Sequence, residues 1–509
     1  MNQPKDICLF MSDQHAWQVQ HYAGDSIVRT PNLDRIASSG TVMMNAYTSD
    51  PVCVPARMSM LSGQFASRCG VMSNKSALDS NRATFVHCLA ARGYETTLCG
   101  RMHFVGPDQR HGFGKRIAGD ITQVFHNRPA SMAAERGVHD KTPQGGPSSL
   151  HIIGGGNSPT LEFDRYVVEH ALEYLQGSYE EPQFLCVGTY GPHHPYVAPV
   201  ELFKYYYDKV DIPGETFNYP PHPAVLSTVL EDRDPNVVRA VRAAYYGMVE
   251  FEDEQIGKVY DAFQEYLGRN HREGIFVYVS DHGDHAGYRG YYGKSTFYEP
   301  SVHIPMIFSG DGVESGRMLY GAVSLMDIGP TLCEATGAVY PPEIDGVSLF
   351  SQLSGGEDDE ERMVISEVNS GFSTSSRIIY GKMCKWRNFK LIHYLNYNQE
   401  DVLYDIEADP LESMNVITEH PILVEKMRKA MDELCDVSIN EIEVNARKEK
   451  ANLNILTKCD FDSKEERWHA PESVRHYPYC MVSSKLTVEV WKQQLKERSQ
   501  QEEKRNEDL

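Results

Sequence analysis

Asp6-Ile7-Cys8-Leu9-Phe10-Met11-Ser12-Asp13-Gln14-His15 decides how the rest of the chain is read. Ile7–Met11 is a short apolar run with the composition of a β-strand, and it breaks abruptly into a polar cluster. The same grammar recurs downstream, where Ile275–Ser280 runs into Asp281-His282-Gly283-Asp284-His285. Glu95–Cys99, Phe184–Tyr190 and Pro305–Ser309 complete a set of strand candidates separated by amphipathic stretches, which is the α/β pattern. Open α/β sheets deliver functional side chains at the C-terminal ends of their strands, so the two acidic clusters stand where a site is expected.

Outward from these runs, Thr30-Pro31-Asn32-Leu33-Asp34 through Gly40 predicts a helix with Thr30 as N-cap, Pro31 at the first helical position and Gly40 just past its end. Longer helices are expected over Phe163–Gln176 and from Asn236 to Leu267. The segment from Asp120 to Asn157, rich in Gly, Pro, His and Arg and without periodicity, reads as an excursion over a pocket. After the acidic run near Gly355–Glu361 the character shifts to β-prone stretches, Met363–Glu367, Arg377–Tyr380 and Phe389–His393, followed by a helix from Ile422 to Cys435. The expected organisation is therefore a catalytic α/β domain over residues 1–360, a smaller C-terminal α+β domain over 361–484, and a charged helical tail over 485–509 that is solvated or contacts another copy of the chain.

The composition is that of a globular protein, with 41% hydrophobic and 24% charged residues. Against 49 basic residues stand 71 acidic ones, a formal charge of −22. Such a balance repels nucleic acid and anionic lipid surfaces, and neither is expected as a partner. If the substrate is an anion, positive charge must be concentrated locally, in the pocket. Eleven cysteines, odd in number and mostly within apolar runs, read as reduced thiols. Ile7–Met11 is too brief for a signal-peptide core and no stretch reaches membrane-spanning length, so a cytoplasmic location is the expectation.

Three groups carry chemistry. Ser12-Asp13-Gln14 and Ser280-Asp281-His282 combine carboxylates, an amide oxygen and an imidazole, a donor set suited to calcium, magnesium or manganese, although Asp residues after strands also cap turns. Cys53 opens Cys53-Val54-Pro55-Ala56-Arg57, where Pro55 favours a helix starting just after the cysteine and a helix N-terminus favours an anionic nucleophile. A buried inert thiol is the ordinary alternative for such a residue.

In order and spacing these groups resemble the sulfatase family. The likeness runs through Met11-Ser12-Asp13-Gln14, Thr30-Pro31-Asn32-Leu33-Asp34, Cys53–Arg57 with Leu61-Ser62-Gly63, and Gly93–Thr96 leading into Gly100-Arg101-Met102-His103. It continues through Pro192-His193-His194-Pro195, Ser280-Asp281-His282-Gly283 and Leu403-Tyr404-Asp405-Ile406-Glu407-Ala408-Asp409-Pro410. The resemblance implies an alkaline-phosphatase-like α/β fold with a large mixed sheet and a small C-terminal domain. It also implies a hydrolase of sulfate monoesters in which a maturation enzyme oxidises Cys53 to formylglycine, whose hydrate attacks the ester beside one divalent metal ion. Carried over position by position, Asp13, Gln14, Cys53, Asp281 and His282 match metal-site positions, and Arg57 the residue that holds the aldehyde hydrate. Asn74, Arg101 and Lys294 match contacts to the anionic group, His103 the base acting on the second hydroxyl, and His193 the group that protonates the leaving alcohol.

Two departures from the common pattern matter. Ser12-Asp13 replaces paired Asp residues and His282 replaces Asn, which lowers the negative charge of the metal shell and puts manganese and magnesium beside calcium. Arg101 stands where Lys is usual. Arg101–Phe113 and Pro192–Tyr196 are most similar to choline sulfatases, yet Phe125 is the one aromatic residue of the stretch after Phe113, with no Trp, and a quaternary ammonium wants an aromatic cage. The ester is accordingly read as a sulfated carbohydrate, choline sulfate or an aryl sulfate. Formylglycine-dependent phosphodiesterases and phosphonate monoester hydrolases share the same motifs, and a non-catalytic protein with a degenerate pocket is the alternative from another class.

Overall fold

β1 (Asp6–Asp13) is buried at every position, and its successive side chains feed two different cores. Ile7, Leu9 and Met11 pack into one cluster and Cys8 and Phe10 into another, the alternation of a strand covered on both faces. The computed structural model describes residues 4–122, 150, 153–214, 230–370, 379–395 and 401–456. β1 lies near the middle of an eight-stranded sheet with β2 (Gly40–Tyr47), β3 (Glu95–Gly100), β4 (Lys115–Ala118), β5 (Gln183–Pro192), β6 (Gly274–Ser280), β7 (Met306–Gly310) and β8 (Arg317–Ser324). The order is β8-β2-β7-β6-β1-β5-β3-β4, and β7 runs antiparallel to both neighbours while the other pairs are parallel.

Helices Cys53–Ser62, Phe85–Ala91 and Ile328–Thr336 cover one face, and helices Pro31–Ser38, Pro159–Leu175 and Pro235–Asn270 the other. This is the large mixed sheet between helices expected of an alkaline-phosphatase-like fold. A smaller C-terminal antiparallel sheet follows, β9 (Val364–Ser370), β10 (Ile379–Trp386), β11 (Phe389–Tyr394) and β12 (Val402–Asp405), in that order. The helix Pro421–Leu434 covers it through Val424, Met427 and Met431. The two sheets are tied by Lys390, which is fully buried and bridges Glu299 at 2.8 Å and Glu412.

Register places the chemistry. Ser12 lies beside Ser280, Asp13 beside Pro192, and Gly100 beside Gly188, so the residues that follow β1, β3, β5 and β6 emerge at one edge of the sheet.

Several expectations shift in detail. The Thr30 side chain does not cap its helix. It accepts from the His21 N–H, while Asp253, on the long helix opposite, accepts from the Asn32 and Leu33 N–H groups. A tertiary carboxylate has taken over the capping role. Gly40 belongs to β2, where a Cβ would lie 2.1 Å from the Phe308 carbonyl oxygen, so close strand approach explains it and not a helix end. Residues 123–149, 151–152, 371–378 and 457–509 lie outside the described residues, and with them fall Phe125, most of the Asp120–Asn157 excursion, Arg377 and the charged tail. Among the described residues no helix is long and apolar enough to cross a membrane.

Candidate active site

Cys53 is the first residue of a helix whose every side chain is buried, Cys53–Ser62. No side chain caps this helix from Val52. The Asn74 carboxamide oxygen instead accepts from the Val54 N–H at 2.9 Å, and its nitrogen lies 3.9 Å from Cys53 Sγ. Pro55 sits in the first turn, where a missing N–H costs nothing. The thiol is thus held at the positive end of a helix dipole, at the sheet edge where β1 and β6 end.

Around Sγ stand His282 Nε2 at 3.1 Å, Lys294 Nζ at 3.0 Å and Asp13 Oδ1 at 3.9 Å. Asp13, Cys53, Asp281 and His282 each present a ligand atom within 4.8 Å of the others, all four residues buried. Two carboxylates and an imidazole fit a divalent ion of the oxygen-preferring or borderline kind. The Gln14 amide oxygen accepts from Lys294 Nζ at 2.6 Å, and its nitrogen donates to Asp284. Gln14 adopts a left-handed backbone, φ 71°, fixed by its N–H on Asp281 Oδ1 and its carbonyl on the Tyr245 hydroxyl.

Arg57 has no exposed surface and spans the two carboxylates, Nε to Asp281 at 2.8 Å and a terminal nitrogen to Asp13 at 3.1 Å. Arg101 donates to Asp13 at 2.7 Å and to His103 Nδ1 at 2.8 Å. Arg57, Arg101 and Lys294 concentrate three cations around Cys53 and Asp13, the local positive charge that an anionic substrate demands of a protein with charge −22. Burial raises the Asp13 carboxyl, but Arg101, His193, Lys294 and Arg57 outweigh it and hold it well below the usual range. Burial and Asp13 push the Cys53 thiol up, and Lys294 and His282 bring it down overall. Burial, then His194 and Lys294, hold His193 well below the ordinary imidazole value. Its Nδ1–H is used on the His194 carbonyl at 2.8 Å, so Nε2 faces the site, 3.9 Å from Asp13.

The residues named from the sequence are therefore gathered at one sheet edge, and His193 is buried where an isolated reading gives a surface turn. Sequence reasoning passed over three supports. Asp120 accepts from the Met102 and His103 N–H groups at 3.1 and 2.8 Å, which holds His103 in its positive-φ backbone. The Tyr190 ring lies under the Arg101 guanidinium, 4.6 Å to the centroid. Asp284 fixes the Gln14 amide and also accepts from Tyr196. Of these only Asp284 carried a signal, by its place in Asp281–His285.

A family model described as Sulfatase matches residues 5–338, well over half of the chain. The chain belongs to the sulfatase family. This sulfatase is a sulfuric ester hydrolase, and a second model, described as N-sulphoglucosamine sulphohydrolase, C-terminal, matches residues 287–437. It is 28% identical over 498 residues to a choline-sulfatase of Rhizobium meliloti (strain 1021), covering 93% of this chain and 92% of that one. To arylsulfatase K of Mus musculus it is 26% identical, covering 83% and 77% respectively. Among solved structures, the phosphonate monoester hydrolase of Agrobacterium radiobacter superposes with a TM-score of 0.68 at 22% identity, over 85% of this chain and 95% of that one. An enzyme in complex with its substrate D-glucosamine-2-N,6-O-disulfate superposes with the same TM-score at 19% identity, over 90% of this chain and all of the other. At these identities the two structures speak for the fold.

Proposed function

We propose that this sulfatase hydrolyses a sulfate monoester with Cys53, oxidised to formylglycine, as its nucleophilic residue. The observation that carries the reading is the surround of Cys53 Sγ: Lys294 and His282 within about 3 Å and the Asp13–Arg57–Asp281 bridge behind them. The aldehyde hydrate would supply the attacking hydroxyl, and a divalent ion held by Asp13, Asp281 and His282, with Gln14 as a further ligand, would polarise the sulfate oxygens. Calcium is the first choice, manganese and magnesium the alternatives. Every other task falls to side chains whose positions are set by the fold.

Arg57 orients residue 53 and neutralises the two ligand carboxylates. Lys294 places a cation where sulfate and leaving-oxygen charge develops, and Arg101 adds a second from the β3 side. Asn74 holds the first turn of the Cys53 helix and contacts the anionic group. His193 directs Nε2 toward the site and is the donor to the departing alcohol; a bound sulfate raises its proton affinity from the low value of the free site. Arg101 donates to His103 Nδ1 and so orients the ring, to which the resemblance gives the role of base on the second hydroxyl.

The likeness to a choline-sulfatase over 93% of the chain makes choline sulfate the first ester to try, followed by aryl sulfates and sulfated sugars. His282 and the single Asp13, shared as a pattern with formylglycine-dependent phosphoesterases, favour phosphodiester or phosphonate cleavage as the second reading. Turnover of 4-nitrophenyl sulfate, choline sulfate and bis(4-nitrophenyl) phosphate by enzyme from a maturation-competent host separates the two. A higher kcat/KM on either sulfate supports the proposal, and a higher one on the phosphodiester overturns it in favour of the second. A division of the chain near residue 360, in the turn before β9, is part of the same reading.

A further inference from the structure

Behind the segment that carries His193, two carboxyl groups without exposed surface face the same stretch of backbone. Asp164, on the helix Pro159–Leu175, accepts from the Tyr190 N–H at 2.6 Å with one oxygen and from the Gly191 N–H at 2.9 Å with the other. Glu252, on the helix Pro235–Asn270, accepts from the Thr189 hydroxyl with Oε1, and its Oε2 has no hydrogen-bond partner among the described residues. Both carboxyls crowd Gly191: a Cβ there would lie 2.8 Å from Asp164 Oδ2 and 3.0 Å from Glu252 Oε2. Three successive residues, Thr189, Tyr190 and Gly191, are therefore held by side chains from two helices, immediately before Pro192 and His193.

A purely structural strand end does not need this. Backbone N–H groups at a sheet edge are ordinarily satisfied by a neighbouring strand or by water, and burying two acids together is costly unless something is fixed by it. What is fixed lies on both sides of the site. Tyr190 presents its ring to Arg101, which in turn holds Asp13 and His103, and the Tyr190 carbonyl accepts from the His193 N–H at 3.1 Å. Burial and the adjacent Asp164 hold Glu252 well above the usual carboxyl range.

We infer that Asp164 and Glu252 form one positioning unit, which fixes Thr189–Gly191 and thereby aims His193 at the leaving oxygen. The inference rests on the leaving-group role given to His193 above, and neither acid touches the substrate.

The test is leaving-group sensitivity, measured on the mature enzyme with phenyl sulfate and 4-nitrophenyl sulfate, esters of similar shape whose alcohols differ in their need for a proton. Asp164→Asn presents an amide N–H to one of two backbone N–H groups and so breaks the clamp. It is expected to lower kcat on phenyl sulfate by roughly 10- to 100-fold, part of the roughly 10²–10⁴-fold that general-acid catalysis contributes, and on 4-nitrophenyl sulfate by less than about 3-fold. Glu252→Gln, which keeps the acceptor for Thr189, is expected to retain kcat on both esters within about 3-fold, a conservative rescue that a requirement for charge does not allow. Thr189→Val, a milder break of the same clamp, is expected to show the Asp164→Asn bias in smaller degree and serves if Asp164→Asn does not fold. His193→Ala is measured alongside. If it shows the bias and neither clamp variant does, or if a clamp variant lowers both esters equally, the positioning role is overturned. If His193→Ala itself shows no bias, the role of His193 fails and the inference falls with it.

Discussion

Arg57 illustrates how much of the site depends on single buried charges. It lies fully buried between Asp13 and Asp281. Breaking such an arrangement from one side leaves uncompensated carboxylates and typically costs about 3–5 kcal/mol. Arg57→Ala is therefore expected to abolish turnover and to lower stability by a few kcal/mol in the absence of metal, by denaturant titration. A divalent ion is expected to recover part of that stability by neutralising the same carboxylates. At the same scale, two histidines are kept neutral by burial, His15 with its value lowered to about 4 and His285 to about 3, from an ordinary value of 6.5. The unfolded chain binds protons to these residues at a pH where the fold does not, so their contribution is complete above pH 6.5 and is lost as the pH falls toward about 4 for His15 and about 3 for His285. Wild-type stability is expected to fall by a few kcal/mol between pH 7 and pH 4.5, and His285→Gln, relative to its own value at pH 7, to fall less. Equal slopes by urea titration would contradict this account of His285.

The interface between the two sheets makes an element-scale prediction. Lys390 on β11 is enclosed by Glu299, in the segment after Lys294, and Glu412, beyond β12. Lys390→Met leaves two buried carboxyls facing each other and is expected to cost about 3–5 kcal/mol in urea unfolding. The double variant with Glu412→Gln is expected to recover part of that loss. Elements of this kind were readable in the sequence to different degrees. β1, β5 and β6 are built on apolar runs that stop at polar clusters, β3 is a β-prone run leading into Arg101-Met102-His103, and the predicted bounds of all four fall within a few residues of those observed. β2 and β8 are not legible as strands, because Gly40, Thr41 and Asn45 in one and Arg317, Tyr320 and Gly321 in the other interrupt the apolar signal. β12 was noticed only as a motif. The motifs bring Asp13, Asp281, His282 and Arg101 into view because these residues lie at or just past strand ends. Asp120, Asp164, Asp253 and Glu252 act across tens of residues, and no local pattern distinguishes them from solvated acids on helices and loops.

The molecule as a whole is acidic, with a formal charge of −22, and gathers Arg57, Arg101 and Lys294 at the site. Removal of divalent ions with a chelator is expected to abolish sulfate release and to lower the melting temperature by several degrees, since a ligand bound only by the folded state stabilises it. Restoring calcium, manganese or magnesium singly, and reading which returns both activity and melting temperature, identifies the ion that the donor set prefers. Unchanged activity after exhaustive chelation would contradict the metal assignment. The state of residue 53 decides the mechanism, and peptide mass spectrometry on enzyme purified from a maturation-competent host reads it. The peptide spanning Cys53 is expected to carry an aldehyde in place of the thiol, and the modified fraction to track the rate of sulfate release from preparation to preparation. A fully active preparation in which Cys53 remains a thiol throughout would contradict it.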